Sequence, residues 1–467
     1  MSLRQPDDPH RLSPHSVGSQ GRAEACVASL RIEVPEFRVR RSERLGEADL
    51  VWSVLPEVAM LLIGASAASG RGPIQALDSL TRNFARALAP TAGPTLTRVG
   101  SVLVVDTSVQ TERATSPLVH ELALRYGEPT ECRLPPLGAR SMAAAGRSVH
   151  RVGKVLREAL SAAGIDEPPG LHRELLKVEI LRHRAREARL RDAGIDAVVV
   201  GSQQNSSARS VLSVARGEGV ASFYLPHAPT ADNAFYHDLP TTHALLRGPA
   251  EVDFYAGIGV GQTGRLMVVG NPGAAQLPGE EPPPAQDLVY AASTHSEAVL
   301  RADVEVIRAG TDQPVIVCLH PRMHAADVAG LLPSNWRIVG APNTDAYLRT
   351  HGARVVIQHG SGVGLEALFL GIEVIDLCHA AETPNYPYIR PPHIQIAHDA
   401  HGLSTALDAI PGRADQRAER IAFAHSWCRD VGVEAARSCA DAIDRTRTAA
   451  VPRDVLFDGW GRYLSDP

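Results

Sequence analysis

The chain has 467 residues, 44% of them hydrophobic and 21% charged, the composition of a globular protein. At roughly 150 residues per domain it holds two or three domains, each able to bury a core without a disulfide or metal staple. A net charge of −5 and an aromatic content of 4% leave neither a whole-chain basic footprint nor a stacking surface, so no nucleic-acid partner is expected.

Six cysteines (Cys26, Cys132, Cys318, Cys378, Cys428 and Cys439) include no CxxC pair. That excludes a zinc ribbon or dithiol motif and predicts reduced thiols in a reducing compartment. Residues 1–22 are polar and carry no signal-peptide pattern. The longest apolar run, residues 58–69, is too short to span a bilayer. A soluble cytoplasmic protein is expected, in at most peripheral contact with a membrane; its oligomeric state is not legible.

In chain order, residues 1–24 read as disordered, 31–39 as a short strand and 59–89 as one or two helices broken near Gly70 and Gly72. A first domain is expected over 25–272, with an unassigned extension up to about residue 97. Within it, strands are predicted at 101–106, 196–201, 220–225, 243–246 and 266–270. Helices are predicted at 116–126, 140–163, 171–193 (closed by Gly194) and 208–216 (closed by Gly217).

Residues 273–286, with three consecutive prolines, form a linker. A second domain follows over 287–425. Its strands are expected at 287–291, 314–319, 336–339, 354–358 and 372–377, and its helices at 295–309, 344–351 and 365–370. Residues 414–446 read as helical, and 426–467 as a C-terminal helix and tail. Strand and helix alternating in this way predict an α/β protein of two Rossmann-like, doubly wound parallel-sheet domains facing a cleft.

In such sheets ligands bind where strands end, so the residues after each strand carry the chemistry. Residues 355–377 run from a strand through His359-Gly360-Ser361-Gly362 into a helix. The glycines allow close backbone approach, the helix start offers N–H groups, and Ser361 adds a hydroxyl. The pattern suits a phosphate or diphosphate. It is neither GxGxxG nor a Walker loop.

Glu366, five residues past Ser361, is placed to accept hydrogen bonds from a ribose, or is simply favoured by the helix dipole. His320 and Arg322 follow another strand and suit nucleotide phosphates. His320 and His324 lack the glutamate and the continuous helix of a zinc motif. Ser293 and Thr294 could bind phosphate or cap the next helix.

In the first half, His227 follows a strand and is the candidate general base, and Asp106 is a second. Gln203, Asn205 and Ser206 offer neutral groups to a polyhydroxy acceptor or cap a helix. No metal and no cofactor are expected.

These residues resemble a known family. The second half looks like the nucleotide-binding half of a GT-B glycosyltransferase, most similar to the capsular polysaccharide synthesis and CDP-glycerol glycerophosphotransferase type. Four landmarks carry the resemblance. They are residues 196–219 leading to Pro226-His227; the strand ending Gly270-Asn271-Pro272; His320-Pro321-Arg322; and the turn 359–364 followed by Glu366-Ala367-Leu368 and Gly371. The family usually has His-Gly where this chain has His227-Ala228, and often a Thr/Ser-Ser pair where it has Gly360-Ser361.

The resemblance implies metal-independent, inverting transfer from a nucleotide-activated sugar to a small-molecule or glycan acceptor. It implies donor phosphates on His320 and Ser361 and a base at His227. A glycerophosphate-type transferase, a nucleotide-sugar 2-epimerase and a non-catalytic nucleotide-sugar-binding protein share the architecture and remain open at this point.

Overall fold

A computed structural model describes residues 94–448, except 163–166, 168–169, 204, 233–238, 259–264, 275–282, 284, 294–296, 321–322, 340–343 and 380–385. The expectations for residues 1–93, most of the 273–286 linker and the end of the tail lie outside the described residues. So do those for Thr294 and Arg322.

The first sheet begins with β1 (Thr95–Val99), β2 (Val102–Asp106) and β3 (Thr130–Glu131), and continues with β4 (Ala197–Val200), β5 (Ala221–Tyr224), β6 (His243–Leu246) and β7 (Leu266–Val268). Their order is β3-β1-β2-β4-β5-β6-β7. From β2 to β7 all neighbours are parallel. β1 runs antiparallel to both β2 and β3, an edge that was not predicted. Every residue of β2 and β4 is buried, as expected of parallel strands covered on both faces.

One face is covered by α3 (Leu171–Ala188) and α4 (Ser206–Glu218) through Leu181, Ala185, Val211 and Leu212, with α2 (Ala139–Ala162) packed on α3. The other face takes α1 (Val109–Tyr126) through Leu118 and Leu122.

Helix ends differ from the sequence reading for local reasons. α1 starts at Val109, not residue 116, because Ser108 and Thr111 form a reciprocal capping box ahead of Pro117. α4 runs on past Gly217 and is closed by Gly219 at φ +68. α3 stops at Ala188, with Arg189 left-handed, rather than reaching residue 193.

The second sheet contains β8 (Leu288–Ala291), β9 (Val315–Cys318), β10 (Arg337–Val339), β11 (Val355–Gln358), β12 (Glu373–Leu377) and β13 (Gln395–Ala397), in the order β10-β9-β8-β11-β12-β13. All neighbours are parallel. Counted from its own first strand this is 3-2-1-4-5-6, with the reversal between β8 and β11.

Leu300 and Ile307 of α6 (Glu297–Gly310) pack on one face with Leu403 and Leu407 of α9 (Ala400–Ala409). Leu348 of α7 (Thr344–His351), Leu365 and Leu368 of α8 (Val363–Phe369), and Phe423 and Trp427 of α10 (Arg417–Trp427) pack on the other. In the first domain, Pro249–Gly257 forms α5. The protein therefore contains two parallel-sheet α/β domains, each covered on both faces.

The C-terminal helical stretch is two helices, because the chain returns to the first domain between them. After Trp427, residues 428–431 cross over, and α11 (Gly432–Thr446) lays Cys439, Ala440 and Ile443 on the face of the first sheet that α1 also covers. The crossing is stitched by backbone bonds. Asn271 N–H donates to the Asp430 carbonyl at 2.8 Å, Gly432 N–H to Asn271 at 3.1 Å, and Arg429 N–H to Arg247 at 2.9 Å.

Gly248 lies so close beneath the crossing that a Cβ there would sit 2.4 Å from the Ser426 carbonyl oxygen. Arg125 of α1 pairs with Glu121 and reaches Asp441 and Asp444 of α11. No helix among the described residues is long and apolar enough to cross a membrane.

Candidate functional site

The reversal in the second sheet leaves a crevice outside the carboxyl ends of β8 and β11. β8 is followed by half-buried Ser293 and β11 by the turn 359–364. The turn is built from beneath. Gly360 adopts φ +52, a left-handed conformation that favours glycine. The Gln358 side chain accepts the Gly364 N–H at 2.6 Å and donates to Asp376 Oδ2 at 2.8 Å. Gly360 N–H donates to the same carboxylate oxygen at 3.1 Å. The Tyr388 hydroxyl donates to the Ser361 carbonyl. Burial pushes the Asp376 carboxyl up to about 7, against the pull of these donors.

This construction changes one expectation. The first N–H groups of α8 were offered to an anion on sequence grounds. The structure commits Val363 N–H to Ser361 Oγ at 3.3 Å and Gly364 N–H to Gln358. The backbone N–H groups of this turn that have no partner among the described residues are those of Ser361 and Gly362. An incoming anion would therefore meet the turn itself, and the Ser361 hydroxyl, rather than the seven-residue helix.

His320, half-buried, follows β9, with its carbonyl accepting the Met323 N–H at 2.8 Å. Glu366 lies on α8, and burial followed by the nearby Asp345 carboxylate pushes it up to about 7. The opposing pull comes from Arg113 and Arg247 of the first domain and Arg349 of the second, so Glu366 lies within electrostatic reach of both domains.

At the edge of the first sheet, His227 Nδ1 lies 2.7 Å from the Gly201 carbonyl oxygen. A carbonyl only accepts, so Nδ1 carries the proton and a neutral ring has its lone pair on Nε2. Asp106 is buried, and both its oxygens accept from the Thr115 hydroxyl, at 2.9 and 3.0 Å. Burial raises it to about 6.

The three polar candidates of the β4–α4 loop lie at the start of α4. Gln203 is fully buried, with its carbonyl accepting from Arg209 at 2.7 Å. Asn205 caps α4 by accepting the Ser207 N–H at 2.8 Å. Ser206 is buried in the first turn, with its carbonyl accepting from Ser210.

The two carboxyl edges meet. A Cβ built on Gly362 would lie 3.0 Å from Cδ of Pro229. The loop carrying His227 therefore abuts the Gly360-Ser361-Gly362 turn, which brings a strand-end loop of the first domain against one of the second.

One group beside this turn was not anticipated. Asp303, in the middle of α6, is fully buried. Its Oδ1 receives His359 Nδ1 at 2.9 Å and His379 Nε2 at 2.8 Å, and its Oδ2 accepts from the Tyr290 hydroxyl at 2.8 Å. His379 follows β12 just as His359 follows β11 and His320 follows β9, so a search of strand ends finds it. Asp303 carries no such signal.

No known family profile matches the chain, and no curated protein matches it. Similar solved structures include the UDP-GlcNAc 2-epimerase of Neisseria meningitidis bound to UDP-GlcNAc, with 12% identity over 72% of this chain and 96% of that one, at a TM-score of 0.43. Another is the glycosyltransferase SnogD of Streptomyces nogalater, with 17% identity over 72% and 97%, at 0.43. A third is the lipopolysaccharide outer core galactosyltransferase WaaB, with 13% identity over 58% and 80%, at 0.39.

Proposed function

We propose that the protein is a glycosyltransferase that moves a sugar from a nucleotide-activated donor to an acceptor hydroxyl, with inversion and with no metal at the reacting atoms. The observation that carries this reading is the contact of Pro229 with Gly362. It supports a single crevice with a base-bearing loop on one side and a phosphate-sized turn on the other.

In this reading His227 Nε2 takes the proton of the acceptor hydroxyl. The acceptor oxygen forms the new bond at the anomeric carbon as the bond to the phosphate oxygen breaks. The electron pair of that bond leaves with the nucleotide. The Ser361 hydroxyl, the Ser361 and Gly362 N–H groups and His320 stabilise the charge on the leaving phosphate. The Nδ1 bond to Gly201 supports the role of His227, because it holds the ring in the tautomer a base requires. Glu366 is assigned to the ribose.

The test is a thermal-shift panel with CMP, CDP, UMP, UDP, GDP and dTDP. A ligand that binds only the folded state raises its stability by about 2.7 kcal/mol at a hundredfold excess over Kd. A shift for one base supports the donor site and names its class. A flat panel on folded protein removes the reading. Product analysis then separates sugar transfer from glycerophosphate transfer, from 2-epimerisation, which needs no acceptor, and from binding without turnover.

A further inference from the structure

We propose that Asp303, His359 and His379 form a binding site for a divalent transition metal of the zinc class, lodged beside the Ser361 turn. This goes beyond the proposed transfer, which does not use the metal.

The donor set is two imidazole nitrogens and one carboxylate oxygen, a combination suited to zinc-class ions. The three ligand atoms lie within 4.8 Å of one another. Two imidazoles on one metal, with bonds of about 2.1 Å set about 100° apart, have ring centroids roughly 5 Å apart. The His359 and His379 rings are 5.0 Å apart and inclined at 75°. A carboxylate oxygen in the same set would lie roughly 3.0–3.2 Å from each nitrogen. Oδ1 lies 2.9 and 2.8 Å away, so the side chains need to open by only a few tenths of an ångström. On metal binding each ring carries its proton on its other nitrogen.

Two further features are compatible with a metal. The carboxylate is held from behind by the Tyr290 hydroxyl, the kind of outer contact that fixes a metal-binding carboxylate. Exposure is also graded, from 0% at the Asp303 side chain through 9% at His359 to 24% at His379, so solvent reaches the set from the His379 side. Bound there, the metal would tie His359, the first residue of the turn, to α6 and to the loop after β12.

The experiment uses the full-length chain, stripped with chelator and shown to be folded by circular dichroism. It is titrated with Co²⁺ by visible absorbance and then with Zn²⁺ by displacement. One Co²⁺ per chain, with the d–d bands of a four- or five-coordinate site, is expected. Asp303→Asn and His379→Ala should weaken binding by roughly 100-fold or more, and Tyr290→Phe by about 10- to 100-fold. His401→Ala, at an exposed position on α9, should leave it unchanged and so reports scattered histidine binding.

Added Zn²⁺ should raise the Tm of the parent chain and not of the two ligand variants. Absence of stoichiometric Co²⁺ in folded protein would overturn the site, as would binding that survives both ligand substitutions. In either case Asp303 is a hydrogen-bonded anchor for two histidines. The nucleotide panel reads the proposed transfer separately, so failure of one does not imply failure of the other.

Discussion

The two sheets meet the same requirement, burial of a parallel sheet on both faces, with different parts of the chain. The second sheet is covered by helices drawn from its own stretch, α6 and α9 on one side and α7, α8 and α10 on the other. The first sheet covers one face with its own α2–α4 group and shares the other between α1 and α11, the latter made from the end of the chain. The two domains differ in autonomy. The helices on both faces of the second sheet come from before residue 428, whereas the first sheet has a face finished only when residues 428–446 return to it.

The edges differ in the same sense. The second sheet's turn is fastened by Gln358, Asp376 and Tyr388. The first sheet's His227 has its Nδ1 held at the Gly201 backbone carbonyl. A rigid turn suits a phosphate, and a ring with one fixed tautomer suits proton transfer.

Substitutions at the crossing should break this arrangement most severely. Gly248→Val puts a branched side chain where even a Cβ meets backbone at 2.4 Å. Backbone on both sides of the contact cannot step aside, so loss of several kcal/mol or failure to fold is expected. Denaturant unfolding reads it, and a native-like midpoint would show that the first domain does not depend on the crossing.

His227→Ala should lower turnover by about 10²- to 10⁴-fold while leaving donor affinity near the parent value. Equal loss of both would contradict the division of labour between the edges.

Asp376 sharpens the comparison through pH. Its carboxyl is raised from 3.8 to about 7 in the folded chain. Stability from this group is therefore complete below about pH 4 and lost as pH rises through about 7, a loss on the order of 4 kcal/mol. Asp376→Asn keeps an acceptor for Gln358 and Gly360 and should flatten the pH dependence of Tm across that window. An unchanged slope would place the titration elsewhere.

The smallest expected effect is on binding. Ser361→Ala removes one hydrogen bond to the leaving phosphate and should weaken nucleotide affinity about tenfold, roughly 1.4 kcal/mol. Calorimetric titration with the nucleotide found in the panel measures it. An unaltered affinity would move the phosphate off the turn.

Local pattern carried most of the fold. The β-branched runs at 196–201 and 354–358 and the glycine at 371 are signals written within a few residues, and the strands of both sheets follow them. The antiparallel edge β1–β3 was missed because β3 is two residues long and β1 carries no clear alternation. The helix break at 428–431 was missed because nothing in those residues stops a helix. The return to Asn271 does.

The candidate site divides in the same way. Strand-end rules located His227, His320, Ser293 and the 359–364 turn, and the structure brings the His227 loop against the turn. The rules also named Gln203, Asn205 and Ser206, whose positions the structure uses for burial and for capping α4. Residues 94–448 contain the support network that no strand-end rule reaches. Gln358 and Asp376 read as ordinary strand residues until their side chains are seen beneath the turn, and Tyr388 reads as an ordinary loop residue.

The sequence by itself determined the alternation of strands and helices, the two-sheet architecture and the chemistry available at each strand end, because hydrophobic periodicity and glycine placement act over short stretches of chain. Only the tertiary structure decided which strand ends face one another, that α11 completes the first sheet, and that Asp303 gathers His359 and His379 from 56 and 76 residues away. Those outcomes depend on how whole layers pack. A mid-helix aspartate carries no mark of the histidines it will meet until β8, β11 and β12 lie side by side and α6 is laid across them.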